Sequence, residues 1–157
     1  MSRYKSNYGV EMQDGEFKTF NHPVGDLLIA SRGTAVSTGY KPDVTVQDTD
    51  GKLRFILESE QKTDRKTFLG ALIKAEMYAE QQDAHPGLVI VMQPASNTTT
   101  RQIANHLRPY KEWLTKIKGG SLSLAVVHVM SDVDYRLAAA SGDVIGSAAF
   151  NLRGYIL

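Results

Sequence analysis

Two short apolar runs constrain the fold of this chain more than any other feature. The first is PGLVIVMQP, residues 86–94, and the second is SLSLAVVHVMS, residues 121–131. Both are nearly continuous rather than alternating, which is typical of strands that are covered on both faces. Helical periodicity in the segment between them indicates a crossover that returns the chain to a parallel neighbouring strand. The chain is therefore predicted to build a mixed central sheet with helices on both faces, an α/β fold.

Two segments have the spacing of amphipathic helices. TDRKTFLGALIKAEMYAEQQ, residues 63–82, offers Thr63 or Asp64 as an N-cap and then places apolar residues at helical spacing. NTTTRQIANHLRPYKEWLTKIKGG, residues 97–120, starts with threonines and stops at Gly-Gly, with Pro109 as the point where it would kink or divide. Each helix precedes one of the two apolar runs.

The segment TAVSTGYKPDVTVQDTDGKLRFILESE predicts an antiparallel meander. Its three strands are expected at 34–38, 43–48 and 53–60, and Asp50-Gly51 is a favoured hairpin turn between the last two. Before the meander, residues 23–32 predict a short helix, although the letters DLLIAS within them also fit a buried strand. The predicted order is thus αβββαβαβ, and residues after 131 fit either a helix or further strands.

Composition excludes several classes of protein. The chain has 157 residues, the size of one domain, and it has no cysteine, so a metal site must use oxygen or imidazole ligands. Its 18 basic and 17 acidic residues exclude a polycation that binds nucleic acid through bulk charge alone. The polar start of the chain lacks a secretory signal, and no run is long enough to span a membrane. We therefore expect a single cytoplasmic domain, residues 1–157, that does not bind membranes.

The third predicted strand begins as core and ends in charge. In LRFILESE, side-chain alternation puts Glu58 and Glu60 on one face. Asp43 heads the neighbouring strand. It and Glu58 lie equally far from the Asp50-Gly51 turn, so hairpin pairing places the two opposite each other. Three carboxylates are thus predicted to converge at the open end of the hairpin.

Carboxylates this close repel one another unless a cation lies between them. Mg²⁺, or Mn²⁺ in its place, is the expected occupant, because a hard divalent cation prefers carboxylate oxygens and keeps water molecules that can act as the nucleophile. Lys62 would then face a phosphate oxygen or help to deprotonate the attacking water. This set predicts phosphodiester hydrolysis, with Asp43, Glu58 and Glu60 as metal ligands.

A second interpretation stays open from the spacing alone. Charged residues at the end of a hairpin are common as solvated surface or as protection of a sheet edge. The core-like letters RFIL that precede Glu58 favour a site, because the acids then stand where a buried strand emerges.

These residues resemble a known family. Pro42-Asp43, a hairpin, Glu58-x-Glu60 or Glu60-x-Lys62, and the amphipathic helix that follows are similar to the PD-(D/E)XK nuclease superfamily. The resemblance covers roughly residues 23–93, its motif is short and degenerate, and the superfamily core is described as αβββαβ. The resemblance implies a restriction-endonuclease-like fold, DNA as the substrate and a divalent cation as the cofactor.

Two registers of the motif are open. If Glu58 is the first acid of the strand, Glu60 takes the last motif position, as in the E-x-E variant known among restriction endonucleases of this superfamily. If Glu60 is that acid, Lys62 is the family lysine. Hairpin pairing favours the first register, in which Lys62 or Lys74 would have to supply the lysine from outside the motif.

Two further elements of the superfamily have candidates in this chain. Lys74 and Tyr78 resemble the Q-x-x-x-Y element of some members, with lysine at the glutamine position, and helical residues four apart share a face. The superfamily often adds an acid from its first helix. Asp26 is the candidate if residues 23–32 form that helix, and Glu11 and Glu16 are further options.

The function expected from the resemblance is a nuclease that acts on DNA. A non-catalytic member of the same fold, which binds nucleic acid or protein, is the alternative, and the near-zero net charge favours it. With so little excess basic charge, a nuclease of this size would need a homodimer or another partner to grip a duplex.

Overall fold

The computed structural model describes residues 12–61 and 64–157. Its elements, in chain order, are α1 (Asp14–Thr19), β1 (Leu28–Arg32), β2 (Val44–Gln47), β3 (Leu53–Glu60), α2 (Arg65–Gln81), β4 (Gly87–Met92), α3 (Thr100–Ile117), β5 (Val126–Ser131), α4 (Asp132–Ser141), α5 (Ala148–Asn151) and β6 (Tyr155–Ile156). The order of element types from α1 to β5 is αβββαβαβ, as predicted, but only the elements from β2 to β5 are the predicted segments.

One mixed sheet organises these elements. Its six strands lie side by side in the order in which they occur along the chain. The strands β1, β2 and β3 form an antiparallel meander, β4 is parallel to β3, β5 is parallel to β4, and β6 pairs antiparallel with β5. Because parallel neighbours cannot be joined by a tight turn, α2 and α3 make the two crossovers. The predicted α/β class is confirmed.

Two hydrophobic cores lie on opposite faces of the sheet. One packs α2 and α3 against residues such as Ile56 and Ile90, and the other packs α1, α4 and α5 against residues such as Leu57 and Val89. All six residues of β4 are buried, as the continuous apolar run predicted. The alternation along β3 therefore assigns each of its side chains to one core or the other, and Glu58 and Glu60 follow Ile56 towards the α2 face.

The predictions before residue 40 were wrong in position. Residues 23–32 do not form a helix, because Leu28–Arg32 is the edge strand β1, and residues 34–38 form a loop with one isolated bridge between Ser37 and Tyr40. Gly33 has φ +77°, a left-handed conformation that ends a strand here as readily as it would cap a helix. The first helix among the described residues is α1, in a segment for which we predicted no helix.

The helix starts and the later strands agree with the prediction. Asp64 caps α2 by accepting a hydrogen bond from the backbone N–H of Lys66. Thr99 and Gln102 form a reciprocal capping box at the start of α3, and Pro109 lies inside this helix without dividing it. Beyond residue 131, where the pattern left the choice open, the chain forms two helices and a short strand.

At the open end of the β2–β3 hairpin the predicted pairing is confirmed, because Val44 pairs with Leu57 and Thr45 pairs with Ile56. The turn itself is not the expected two-residue turn, since the backbone of Asp48 bonds to that of Lys52 and Gln47 pairs with Leu53. A register shift between Val46 and Gln47 then restores the predicted pairing, and Gly51, with φ +81°, takes the left-handed position of the three-residue turn. Across the described ranges, none of the helices has the length and apolar character that crossing a membrane requires.

Candidate active site

The open end of the β2–β3 hairpin brings two carboxylates together. The backbone N–H of Asp43 donates to Oε1 of Glu58 at 3.3 Å, and the backbone N–H of Ser59 donates to Oδ2 of Asp43 at 2.7 Å. In both bonds a backbone N–H donates to a side-chain carboxylate instead of a backbone carbonyl. The two bonds continue the hairpin by one residue pair beyond Val44 and Leu57. The predicted approach of Asp43 to Glu58 is confirmed, and its cause is the hairpin register.

Glu58 is nearly buried, with 8% of its surface exposed. Burial, and then the neighbouring carboxylates of Asp43 and Glu60, raise the pKa of Glu58 from its ordinary value of 4.5 to about 8. The hydrogen bonds from the Asp43 N–H and the Tyr40 hydroxyl favour the ionised form but do not outweigh those effects. In the surroundings that the protein alone provides, Glu58 therefore keeps its proton at neutral pH.

Tyr40 is a site residue that the sequence did not reveal. It lies in the loop between β1 and β2 and donates its hydroxyl to Oε1 of Glu58 at 3.5 Å, while its ring packs edge-on against Tyr78 with 5.6 Å between the centroids. Burial, and then the charge of Glu58, raise the pKa of Tyr40. The only sequence signal for this role was its position before Lys41-Pro42-Asp43.

Glu58 and Glu60 line an open cleft of about 710 Å³ between the β1–β2 loop and α2. Three exposed lysines also line this cleft, and we call them the rim lysines: Lys41, Lys66 and Lys74. Lys74 lines the cleft, whereas Tyr78, one turn later on α2, packs on Tyr40, which lines it. The cleft thus combines acidic groups at depth with basic groups at its mouth.

Another lysine reaches the site from α1. Nζ of Lys18 lies 3.9 Å from Oδ1 of Asp43. The helix is held by the buried Phe17 and by His22, whose Nε2 donates to the carbonyl of Phe17 and whose Nδ1 accepts from the hydroxyl of Tyr135. Burial lowers the pKa of His22 to about 4, so the ring is neutral in this role. Sequence analysis missed Lys18 because α1 is too short to show a period.

The remaining candidate residues lie elsewhere. Lys62 and Glu11 fall outside the described residues. Asp26 is exposed in the turn before β1, at the end of the sheet where Leu28 pairs with Gln47, so it does not approach Asp43. Glu16 forms an ion pair with Arg136. Of the acids considered for the first helix, the two that the structure describes are thus not brought to Asp43.

The donors suit a hard divalent cation in kind, since Asp43, Glu58 and Glu60 offer carboxylate oxygens at one strand end. Within residues 12–61 and 64–157, however, no three His, Cys, Asp or Glu side chains are gathered as a group that could hold a metal ion. Mg²⁺ is usually held by one or two carboxylates, with water and substrate phosphate completing its shell. The residues present fit such a partial shell.

Three comparisons with known proteins identify no relative of this chain. A scan against protein-family models, a search of the curated proteins and a search of the solved structures found no significant match to the chain.

Proposed function

We propose that this protein is a divalent-metal-dependent nuclease of the PD-(D/E)XK type, which hydrolyses phosphodiester bonds of DNA in the cleft between the β1–β2 loop and α2. One observation carries the proposal. Glu58 is buried at the side of Asp43 with Glu60 in the same cleft, where its pKa is raised to about 8. A fold that keeps a carboxylate in such costly surroundings is typical of functional sites.

The hairpin register supports the E-x-E form of the motif. The bond from the Asp43 N–H to Glu58 favours Glu58 and Glu60, rather than Glu60 and Lys62, as the motif residues of β3. Asp43 and Glu58 would hold Mg²⁺ or Mn²⁺, with Glu60 as a further ligand or base, and the ion would supply a Lewis acid for the phosphate and an activated water. The order αβββαβ, which runs from α1 to β4, is the same as that of the superfamily core.

The rim lysines would hold the substrate phosphates. Lys66 lies in the first turn of α2 and Lys74 lies two turns later, so both present charge along the mouth of the cleft. A lysine acts on phosphate as a point charge, which does not demand a fixed geometry. In this arrangement Lys74 fills the lysine role that the E-x-E register leaves open on the strand.

Cleavage by carboxamide variants tests the proposal directly. Glu58→Gln and Glu60→Gln, assayed on DNA with Mg²⁺ or Mn²⁺, are expected to lower the cleavage rate by about 100-fold or more, because each removes a charged ligand and keeps the side-chain shape. The matched control is Asp50→Asn, which changes an exposed acid at the other end of the same hairpin and should leave the rate unchanged.

A second readout does not need cleavage. Mg²⁺ or Mn²⁺ at 100 times its dissociation constant should raise the free energy of unfolding of the wild type by about 2.7 kcal/mol, and Glu58→Gln should lose that gain. Equal cleavage by all the variants, or a cation that leaves the stability of the wild type unchanged, would sink the proposal. DNA binding without cleavage under every cation would assign the protein to the non-catalytic alternative.

A further inference from the structure

We infer that the cleft takes a single strand of DNA rather than a duplex. This inference rests on the proposed function, because it names the substrate of the same site. It follows from the depth of the acids, the size of the cleft and the small number of cations around it.

The reactive groups lie deep between two walls. Glu58 is 8% exposed, and the cleft that reaches it is bounded by the β1–β2 loop on one side and by the first turns of α2 on the other. Its volume of about 710 Å³ falls in the range of sites that enclose small molecules, about 300–1,000 Å³. That space suits a nucleotide or two of one strand, whose phosphate would then reach Glu58 between the two walls.

The charges around the cleft also fit a short contact with one strand. Duplex-binding proteins can make about 6–10 phosphate contacts, whereas three rim lysines line the cleft among residues 12–61 and 64–157 and the whole chain has a net charge of +1. From Lys66 to Lys74 the helix rises about 12 Å, which matches a few nucleotides of one strand. Lys41 faces them from the opposite wall, so a strand that enters the cleft passes between cations.

The experiment compares one labelled oligonucleotide as a single strand and as a duplex with its complement. With Mg²⁺ or Mn²⁺, the wild type is expected to cut the single strand at least about 10-fold faster. Binding is measured with Glu58→Gln, which avoids cleavage, at several salt concentrations. Three phosphate contacts predict a slope of about −2 for the logarithm of the binding constant against the logarithm of the salt concentration.

Lysine variants in the Glu58→Gln background locate the strand. Lys66→Ala and Lys74→Ala should each weaken binding of the single strand and reduce the salt slope by about 0.7. Lys52→Ala, an exposed lysine beside the turn at the far end of the hairpin, is the matched control and should change neither quantity.

The possible results separate this inference from the proposed function. If the duplex is cut as fast as the single strand, the inference is overturned and the nuclease stands. If the single strand binds in a Lys66- and Lys74-dependent way but is never cut, the nuclease fails and the single-strand site stands. If Lys52→Ala weakens binding as much as the rim variants do, the strand does not lie in the cleft.

Discussion

The pKa values of two buried glutamates in this protein shift in opposite directions. Glu58 on β3 is 8% exposed and Glu76 on α2 is 3% exposed, so burial by itself would raise the pKa of each. The pKa of Glu58 rises to about 8, but that of Glu76 falls below its ordinary value. Burial raises the pKa of both carboxyl groups, but hydrogen-bond donors and an ammonium outweigh it at Glu76, whereas neighbouring carboxylates add to it at Glu58.

The partners of Glu76 are all donors. Burial raises its pKa, but the backbone N–H groups of Leu124 and Ser123, both at 2.9 Å, and the ammonium of Lys118 together lower it by more. This carboxylate ties α2 to the end of α3 and to the segment that enters β5. We interpret Glu76 as a structural clamp, in contrast to Glu58, whose nearest charges are other carboxylates.

Removing the clamp should have the largest effect on stability. Glu76→Ala leaves the backbone N–H groups of Ser123 and Leu124 without their acceptor and takes one of two carboxylate partners from Lys118, and we expect the free energy of unfolding to fall by about 3–5 kcal/mol. Urea denaturation measures the loss. Glu80→Ala is the control, because Glu80 also contacts Lys118, at 3.1 Å, but its side chain is 63% exposed, so the loss should stay below about 1 kcal/mol. Equal losses for the two variants would remove the distinction.

Neutralising Glu58 should increase the free energy of unfolding, whereas removing Glu76 should decrease it. Its pKa is about 8 in the folded protein and near 4.5 in the unfolded chain, so folding opposes ionisation and the wild type loses stability as the pH rises between these values. Without divalent cations, Glu58→Gln should therefore stabilise the protein by about 2–4 kcal/mol at pH 8 and hardly at all at pH 4. Urea denaturation at the two pH values gives the result, and a gain that does not depend on pH would contradict the raised pKa.

The smallest effect is expected at the ion pair between Lys18 and Asp43, which can be compared with the pair between Lys118 and Glu76. Lys18 lies 3.9 Å from Asp43 and its side chain is 39% exposed, so Lys18→Met should cost less than about 1 kcal/mol. Arg54→Met, which removes an exposed pair with Asp48 at the same distance, is the matched control and should behave alike. Thermal unfolding compares them. A loss of several kcal/mol for Lys18→Met alone would mean that Asp43 is clamped as Glu76 is.

The core strands could be predicted because local signals agreed with the tertiary structure there. The strand β3 and the place of its turn follow from the alternation in LRFILESE and from Asp50-Gly51. The predicted approach of Asp43 to Glu58 is found as well, although a register shift between Val46 and Gln47 separates these residues from the turn. The sequence predicted the Asp64 cap of α2 and the buried strand β4 in the same way, from residues that lie within those elements. In each case the signal lies within a few residues of the structure that it predicts.

The edge of the sheet and the walls of the site could not be predicted in this way. The strand β1 has one partner and half-exposed residues, so its letters fit a helix or a strand, and only pairing with β2 decides. Tyr40 and Lys18 reach the site from a loop and a six-residue helix, neither of which has a periodic pattern.

The sequence by itself determined the order of the elements from β2 to β5, the position of the central hairpin and the meeting of Asp43 with Glu58, because hydrophobic periodicity and turn chemistry are local. Only the tertiary structure decided which charges surround those acids. It placed the rim lysines and Tyr40 around Glu58, and it gave Glu76 its donors from a segment 47 and 48 residues away. Electrostatic surroundings depend on contacts between distant segments, and such contacts exist only once the sheet and its helices have packed.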